Sequence, residues 1–445
     1  MTVAERALVV GLGASGEAVA RHLLARQVAV VAVDDTPGDR GWRNARSLGI
    51  DLVEAPSPER LDELLGGSDL VVPSPGVPAS HPVFRLAGAR GVPVRAEVEL
   101  AWRATDRPVV AVTGTNGKTT VTTLVTRMLD QSGVPAVAGG NIGLPLCDAI
   151  EVDAEVIVAE VSSFQLQFVE CFRPAVAVWL NLAQDHLDWH PDVRSYIAAK
   201  ARIWERQRPS DVAVVNADDP VVMGAAESAP SAVVTFGAAT GDYCVADGVL
   251  RAPAGDILPV AALRRALPHD VANALAASAA ALAAGATLEG VRSALAGFDG
   301  LPHRLTLVAE SGGVGWYDDS KATNPHAAVA AVRGFPSVVL VAGGRNKGLD
   351  LRPLVGAADR VRAVVAIGEA AAEIGGAFAG VRPVRVAESM DVAVRLAAAE
   401  AVAGDAVLLS PGCASYDWYE SYAARGDDFA RAVRDLLEGT HGAAN

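Results

Sequence analysis

The sequence predicts an α/β protein of three domains, and three observations predict it. Short, uniformly apolar runs recur along the chain, as in V-V-A-V-T at Val109–Thr113 and V-I-V-A-E-V at Val156–Val161. Helix-length segments separate them, so the implied sheets are mainly parallel and covered on both faces. Glycine-rich or polar turns follow many of the runs, where sheets of this kind bind ligands. The chain has 445 residues, enough for roughly two to four cores. The blocks expected are residues 1–106, 107–300 and 301–445.

In the first block, Ala7–Val10 reads as a buried strand. It runs into G-L-G-A-S-G (Gly11–Gly16) and a helical stretch ending near Arg26. Val28–Val33 is the next strand and ends at Asp34-Asp35, about 20 residues after the glycine turn, as in a Rossmann-like dinucleotide fingerprint. The same tight turn serves equally to pack a helix on a strand. Leu70–Val72 then leads into the rigid P-S-P-G-V-P loop.

The second block has candidate strands at Val109–Thr113, Val156–Val161, Val176–Asn181 and Val212–Asn216. Its first strand stops at Gly-Thr-Asn-Gly, followed by Lys118 and Thr119. That order offers backbone N–H groups, a helix start and one ammonium to nucleotide phosphates, with a shortened spacing between its glycines. It marks the block as a nucleotide-triphosphate-binding, P-loop-type ATPase domain; a glycine-rich β-to-α turn without a ligand is the lesser alternative, since Lys118 and Thr119 follow the glycine in the right order. The alanine-rich segment from Asp270 is a packed helix, since Asn273 and Ser278 interrupt its apolar run. Gly297–Leu301 is the linker into the third block. There Val338–Ala342, Ala363–Ile367, Val384–Ala387 and Ala406–Ser410 repeat the strand-helix rhythm of a Rossmann-like domain.

Composition narrows the partners. The formal net charge is −14 and the sequence pI about 5.1, against the basic stripe of a nucleic-acid binder. Cys147, Cys171, Cys244 and Cys413 have neither zinc-ligand spacing nor a disulfide framework, which suits a reducing cytoplasm. The amino terminus lacks the layout of a signal peptide, and no membrane span is expected.

Chemistry-bearing residues cluster at strand ends. Glu160 closes an apolar strand, where a carboxylate is costly unless paired or bound to metal. A salt-bridged core acid is the alternative. Asn181–His190 concentrates Asp185, His186, Asp188 and His190 after another strand, without a complete zinc set. Lys200 reads as an ordinary helix lysine. Three polar loops mark the third block, at Tyr317–Asn324, Gly343–Asp350 and Ser410–Asp417. Loops of this kind carry function on an α/β scaffold.

Taken together, G-T-N-G-K-T-T, D-D-S-K-A-T-N, S-P-G-C-A-S-Y-D and Y-E-S-Y-A-A-R-G-D-D-F resemble the ATP-dependent Mur ligases of peptidoglycan synthesis. G-L-G-A-S-G, S-P-G-V-P, G-N-I-G-L-P, E-V-S-S-F-Q-L, D-H-L-D, V-N-A-D-D and L-P-H-R extend the resemblance, in order, over nearly the whole chain. It is strongest to the members that add D-glutamate to UDP-N-acetylmuramoyl-L-alanine.

The resemblance implies an amide ligase in which ATP phosphorylates a carboxylate and the amine of D-glutamate attacks the acyl phosphate. It implies that Gly114, Thr115, Asn116, Gly117, Lys118, Thr119, Thr120, Asn273, Arg304, Asp319 and Lys321 contact ATP. Thr119, Glu160, His186 and Lys200, the last as a carbamate, would hold Mg²⁺. Lys118, His186 and Lys200 would be catalytic. Ser15, Asp35, Thr36, Ser74, Gly76, Asn141, Ser162 and His186 would line the UDP-sugar site, so the first block would bind UDP rather than NAD. Thr323, Lys347, Ser415 and Tyr422 would hold D-glutamate.

Asp270 stands where the family has an amide, and no role is assigned to Trp189 or His190. A cytoplasmic monomer whose domains close over small-molecule substrates is expected. The competing readings are a sister ligase of other amino-acid specificity, a folylpolyglutamate synthetase, a Rossmann oxidoreductase and a nucleotide-binding regulator without catalysis. The oxidoreductase leaves Lys118, Glu160 and Lys200 unexplained, and intact Lys118, Glu160, His186 and Lys200 argue against the regulator.

Overall fold

The computed structural model describes residues 4–185 and 189–442. Its first sheet holds β1 (Arg6–Val10), β2 (Ala29–Asp34), β3 (Asp51–Glu54) and β4 (Leu70–Pro73), all parallel, in the order β3-β2-β1-β4. After β1 the chain turns directly into helix Ala14–Leu24. A Cβ at Gly16 would lie 1.9 Å from the Gly11 carbonyl oxygen, so glycine there lets the helix sit against the turn.

The second sheet holds β5 (Val109–Thr113), β6 (Ala136–Gly140), β7 (Val156–Glu160), β8 (Val176–Trp179), β9 (Val212–Asn216) and β10 (Ala232–Phe236). All are parallel, in the order β10-β9-β8-β5-β7-β6. Because side chains alternate across a strand, Ala111, Ile157, Ala177 and Ala213 enter one core. Val110, Val158, Val178 and Val214 enter the opposite one. The first core runs on through Ala7, Val9 and Ala32 of the first sheet. The second is closed by helices Lys118–Gln131 and Pro268–Ala283. Every residue from Ala274 to Ala281 in Pro268–Ala283 is buried, which explains its uninterrupted apolar run.

A small antiparallel sheet follows, β11 (Cys244–Ala246), β12 (Val249–Ala252) and β13 (Gly255–Pro259). It is not among the sequence expectations. Its first hairpin turns on Asp247-Gly248, with φ of +53° and +73°, the two-residue Asp-Gly signal.

The fourth sheet holds β14 (Thr306–Ser311), β15 (Val314–Asp318), β16 (Val338–Gly343), β17 (Val361–Ile367), β18 (Val384–Ala387) and β19 (Ala406–Gly412). Its order is β14-β15-β19-β16-β17-β18, parallel except for the β14–β15 hairpin. That hairpin turns on Gly312-Gly313 and takes Tyr317 and Asp318, read from sequence as loop, into strand β15.

By contacts the chain divides into two compact units. One holds the chain to Leu182, Trp189–Arg264 and Asp270–Phe298, and so both of the first two sheets. The other holds Arg265–His269 and the chain from Asp299. Among the described residues no helix is long and apolar enough to cross a membrane.

Candidate active site

In the first sheet β1 lies between β2 and β4, so the chain leaves it in one direction and returns on the other side. Ligands bind in the crevice such a reversal opens at the strands' carboxyl ends. A cleft of about 580 Å³ lies there, bordered by Ser15, Asp35, Thr36, Ser74 and Gly76, and by Asn141 from beyond β6. Six of the residues expected at the UDP-sugar site therefore share one cavity.

The Asp34-Asp35 pair divides its work. Asp34 accepts hydrogen bonds from the backbone N–H of Leu12 (2.7 Å) and Thr36 (3.0 Å), which fixes the turn. Asp35 is exposed, with His81 Nε2 3.5 Å away. Ser74 donates to the Gly11 carbonyl at 2.8 Å, so its proton is spent on the turn as well.

β5 occupies the corresponding position in the second sheet, between β8 and β7. The turn after it is held by Asn181, whose Oδ1 accepts from Thr115 N (3.1 Å) and Asn116 N (2.9 Å). Its Nδ2 donates to the Asn116 carbonyl at 3.1 Å. Gly117 has φ +87°, and a Cβ there would lie 2.5 Å from Asn273 Oδ1. The positive φ favours glycine, and a Cβ there would push the Asn273 side chain aside. Lys118 donates from Nζ to the carbonyls of Gly114 and Thr115, both at 2.9 Å. Thr119, half-buried, and Thr120, buried, begin the helix Lys118–Gln131.

Glu160 ends β7 at 2% exposure. Its Oε1 accepts from Asn141 Nδ2 at 2.7 Å, and its backbone carbonyl accepts from Asn141 N at 2.9 Å. Among the described residues, its Oε2 is buried with no hydrogen-bond partner. A buried carboxylate oxygen without a donor is costly alone and is the ligand a hard divalent cation takes, so the residues fit Mg²⁺. Lys200, also 2% exposed, donates from Nζ to the Gly114 carbonyl (2.9 Å) and to Thr113 Oγ1 (3.3 Å), with the Tyr196 ring centroid 4.8 Å away. An unremarkable helix lysine by its sequence, it is held against the phosphate-type turn.

Ser162 caps helix Ser163–Gln167. It donates to Gln165 Oε1 (3.1 Å) and accepts from Gln165 N (3.2 Å). His190 is buried, with Nε2 2.9 Å from Ser163 Oγ and its ring against Tyr196 and Phe164. His186 lies outside the described residues.

In the second unit the ends of β15 and β19 converge. Asp319 is buried and accepts from Ser410 Oγ at 2.7 Å. Burial pushes its carboxyl up to about 7, opposed by that hydrogen bond and by the Arg304 charge. Asp318 Oδ2 is 2.7 Å from His303 Nδ1, beside Arg304. Lys321 donates to Tyr422 Oη at 3.1 Å with its Nζ 4.7 Å from the ring centroid. Thr323 is half-buried and Ser415 buried. Lys347 is exposed, its Nζ 5.9 Å from the Tyr416 ring centroid.

Two residues that organise these sites have no assigned role in the sequence reading. Asn181 is one. Arg425 is the other, 1% exposed, donating to Ser320 Oγ and to the carbonyls of Ser320, Cys413 and Ala414. It joins the D-D-S-K loop to the S-P-G-C-A-S loop. A buried arginine in a G-D-D-F stretch, with five donors to satisfy, was the available signal.

The chain matches three family models in order: the Mur ligase MurD-like N-terminal domain over residues 5–96, the Mur ligase middle domain over 112–281, and the Mur ligase glutamate ligase domain over 303–413. It is 45% identical to the UDP-N-acetylmuramoylalanine–D-glutamate ligase of Desulfosudis oleivorans, covering 98% of this chain and 97% of the relative. It is 46% identical to the protein of the same name from Frankia casuarinae, covering 96% and 93%. Among solved structures it resembles the UDP-N-acetylmuramate–alanine ligase of Thermotoga maritima, with a TM-score of 0.60 at 20% identity over 98% of this chain and 99% of that one. MurF of Acinetobacter baumannii gives 0.62 at 18% over 97% and 93%. The structural likenesses establish the fold, and the sequence matches establish that the chain belongs to the Mur ligase family, among the UDP-N-acetylmuramoylalanine–D-glutamate ligases.

Proposed function

We propose that this chain is an ATP-dependent ligase that joins D-glutamate to UDP-N-acetylmuramoyl-L-alanine in peptidoglycan precursor synthesis, through an acyl phosphate. The observation that carries this reading is Asn141. It borders the 580 Å³ cleft and also holds the Glu160 carboxylate at 2.7 Å. One residue thus adjoins both the cavity that suits a nucleotide sugar and the acid beside the phosphate-type turn.

In this reading residues 1–106 bind the UDP-sugar, 107–300 bind ATP, and 301–445 bind the amino acid. The amides of Gly114–Thr120 and the Lys118 ammonium hold the β- and γ-phosphates, with Lys118 exchanging its carbonyl partners for phosphate oxygens. Asn273, Arg304, Asp319 and Lys321 fix the rest of the nucleotide. Thr119, Glu160, His186 and a carbamate on Lys200 would hold Mg²⁺, which when bound supplies positive charge between a phosphate and a carboxylate that otherwise repel. Burial of Lys200 supports the carbamate, because burial favours the neutral amine that carbamylation needs. Thr323, Lys347, Ser415 and Tyr422 hold D-glutamate, Lys347 meeting a carboxylate. Substrates of this kind place the reaction in the cytoplasm, and the chain acts as a monomer.

The test is phosphate release from ATP by the purified protein across several amino acids. Release is expected only with D-glutamate and UDP-N-acetylmuramoyl-L-alanine together. Release with another amino acid but not D-glutamate would refute the specificity. Lys200→Ala is expected to lose activity and regain part of it with a short-chain carboxylate. Full activity of that variant in plain buffer would rule out the carbamate.

A further inference from the structure

The V-N-A-D-D run, Val215–Asp219, puts three polar residues at the carboxyl end of β9, beside β8. Ligands bind at such strand ends. Here the side chains hold the chain itself. Asn216 donates from Nδ2 to the Leu180 carbonyl at 2.7 Å and accepts from Asp218 N–H at 2.9 Å. Asp218 accepts from Ala238 N–H at 2.6 Å. Asp219 gives one oxygen to the N–H groups of Val221 (3.0 Å) and Val222 (3.2 Å), which caps helix Pro220–Ala226. Its other oxygen accepts from Leu182 N–H at 2.7 Å. Every polar side-chain atom of Asn216 and Asp219 thus has a partner within the protein.

The segment they grip, Leu180–Leu182, follows β8 and meets the phosphate-type turn. Leu180 N–H donates to the Thr113 carbonyl at 3.0 Å. Thr115 N–H is shared between the Asn181 carbonyl and Asn181 Oδ1, both at 3.1 Å. The same Oδ1 accepts from Asn116 N–H, and Nδ2 donates to the Asn116 carbonyl. The residue before Asn181 is therefore held by its carbonyl, and the residue after it by its N–H. Those two contacts fix the backbone from which Asn181 reaches the turn.

We infer that Asn216 and Asp219 are positioning residues for ATP, acting through Asn181 on the turn after β5. The inference rests on the reading of that turn as the ATP site. Asn181 Oδ1 has to sit between two N–H groups while Nδ2 reaches a carbonyl. Hydrogen bonds weaken steeply with misalignment, so three at once tolerate little movement of the backbone that carries them. A carboxylate is a stronger acceptor than a neutral oxygen, which suits Asp219 to anchoring Leu182. A scaffold role alone would weaken the fold and every ligand alike. An action through Asn181 falls on the nucleotide, and it vanishes once the Asn181 side chain is gone.

The experiment is calorimetric binding of the β,γ-imido analogue of ATP with Mg²⁺, and separately of UDP, to the full chain. The proteins are the wild type, Asn181→Ala, Asp219→Asn and the double variant. Asp219→Asn keeps an acceptor for the helix cap and loses the oxygen facing Leu182. It is expected to weaken the analogue about tenfold, the scale of one hydrogen bond to a charged group. Asn181→Ala is expected to weaken it about a hundredfold, since three contacts to the turn go at once. The double variant is expected to bind no worse than Asn181→Ala, and UDP to bind all four proteins alike. Asn216→Ser, which releases Leu180 and leaves the helix cap intact, makes the same test should Asp219→Asn not fold. An additive loss of about a thousandfold in the double variant would overturn the inference and leave the functional reading standing. So would an equal loss for UDP, or wild-type affinity in Asp219→Asn. Absence of analogue binding to the wild type would overturn both.

Discussion

At the end of β5, one contiguous run and a single asparagine build the phosphate-type turn. Thr115, Asn116 and Lys118 are all tied within the turn or to Asn181. At the ends of β15 and β19 the partners are far apart in the chain, as with Arg425 and Ser320, 105 positions distant. Arg425 spends its donors on a hydroxyl and three carbonyls rather than on a carboxylate. Burial lowers its pKa only to about 10, so it remains charged at neutrality. The first arrangement uses a side chain that a ligand can redirect. In the second the cation belongs to the scaffold, and removing it orphans carbonyls. The contrast teaches that a conspicuous basic residue near a loop is chemical or structural according to whether its hydrogen bonds can be given up.

The largest expected effect tests the first half of that contrast. Lys118→Met should lower kcat/KM by about 10²–10³-fold, the scale of losing one preorganised charge donor. Its unfolding midpoint should hardly move. A matching loss of stability would erase the distinction. Arg425→Met should instead cost about 3 kcal/mol in urea unfolding, because buried carbonyls lose their donors. An unchanged midpoint would show that the loops hold without it.

Asp319 sharpens the comparison through pH. Its carboxyl is raised from the ordinary value of 3.8 to about 7. The folded state therefore holds its proton where the unfolded chain has lost it. Its stabilising contribution is full below about 4 and is lost as pH rises towards 7, at no more than about 1.4 kcal/mol per pH unit. Asp319→Asn should remove that part of the slope in unfolding measured across pH 4–8. An identical slope in both proteins would refute the assignment. The smallest effect belongs to Ser162, whose hydroxyl caps a helix. Ser162→Ala should cost about 1 kcal/mol of stability. A large rise in the KM for the UDP-sugar without that cost would make it a substrate contact first.

The sequence alone determined the layered α/β class and the strands with uniform apolar runs, because burial on both faces leaves a signal no tertiary detail can hide. β5 matches its expected bounds, Val109–Thr113. It also determined the phosphate-type turn, since glycines and a lysine in one short run carry their own geometry. Short half-exposed strands such as β11–β13, and the β14–β15 hairpin, left only turn signals at Asp247-Gly248 and Gly312-Gly313. Only the tertiary structure decided which of two adjacent acids fixes a turn and which is left exposed. Only it set Lys200 against Gly114 and left one oxygen of Glu160 without a donor among the described residues. Those outcomes depend on which groups long-range packing delivers to a buried atom, and residue spacing along the chain carries no record of that.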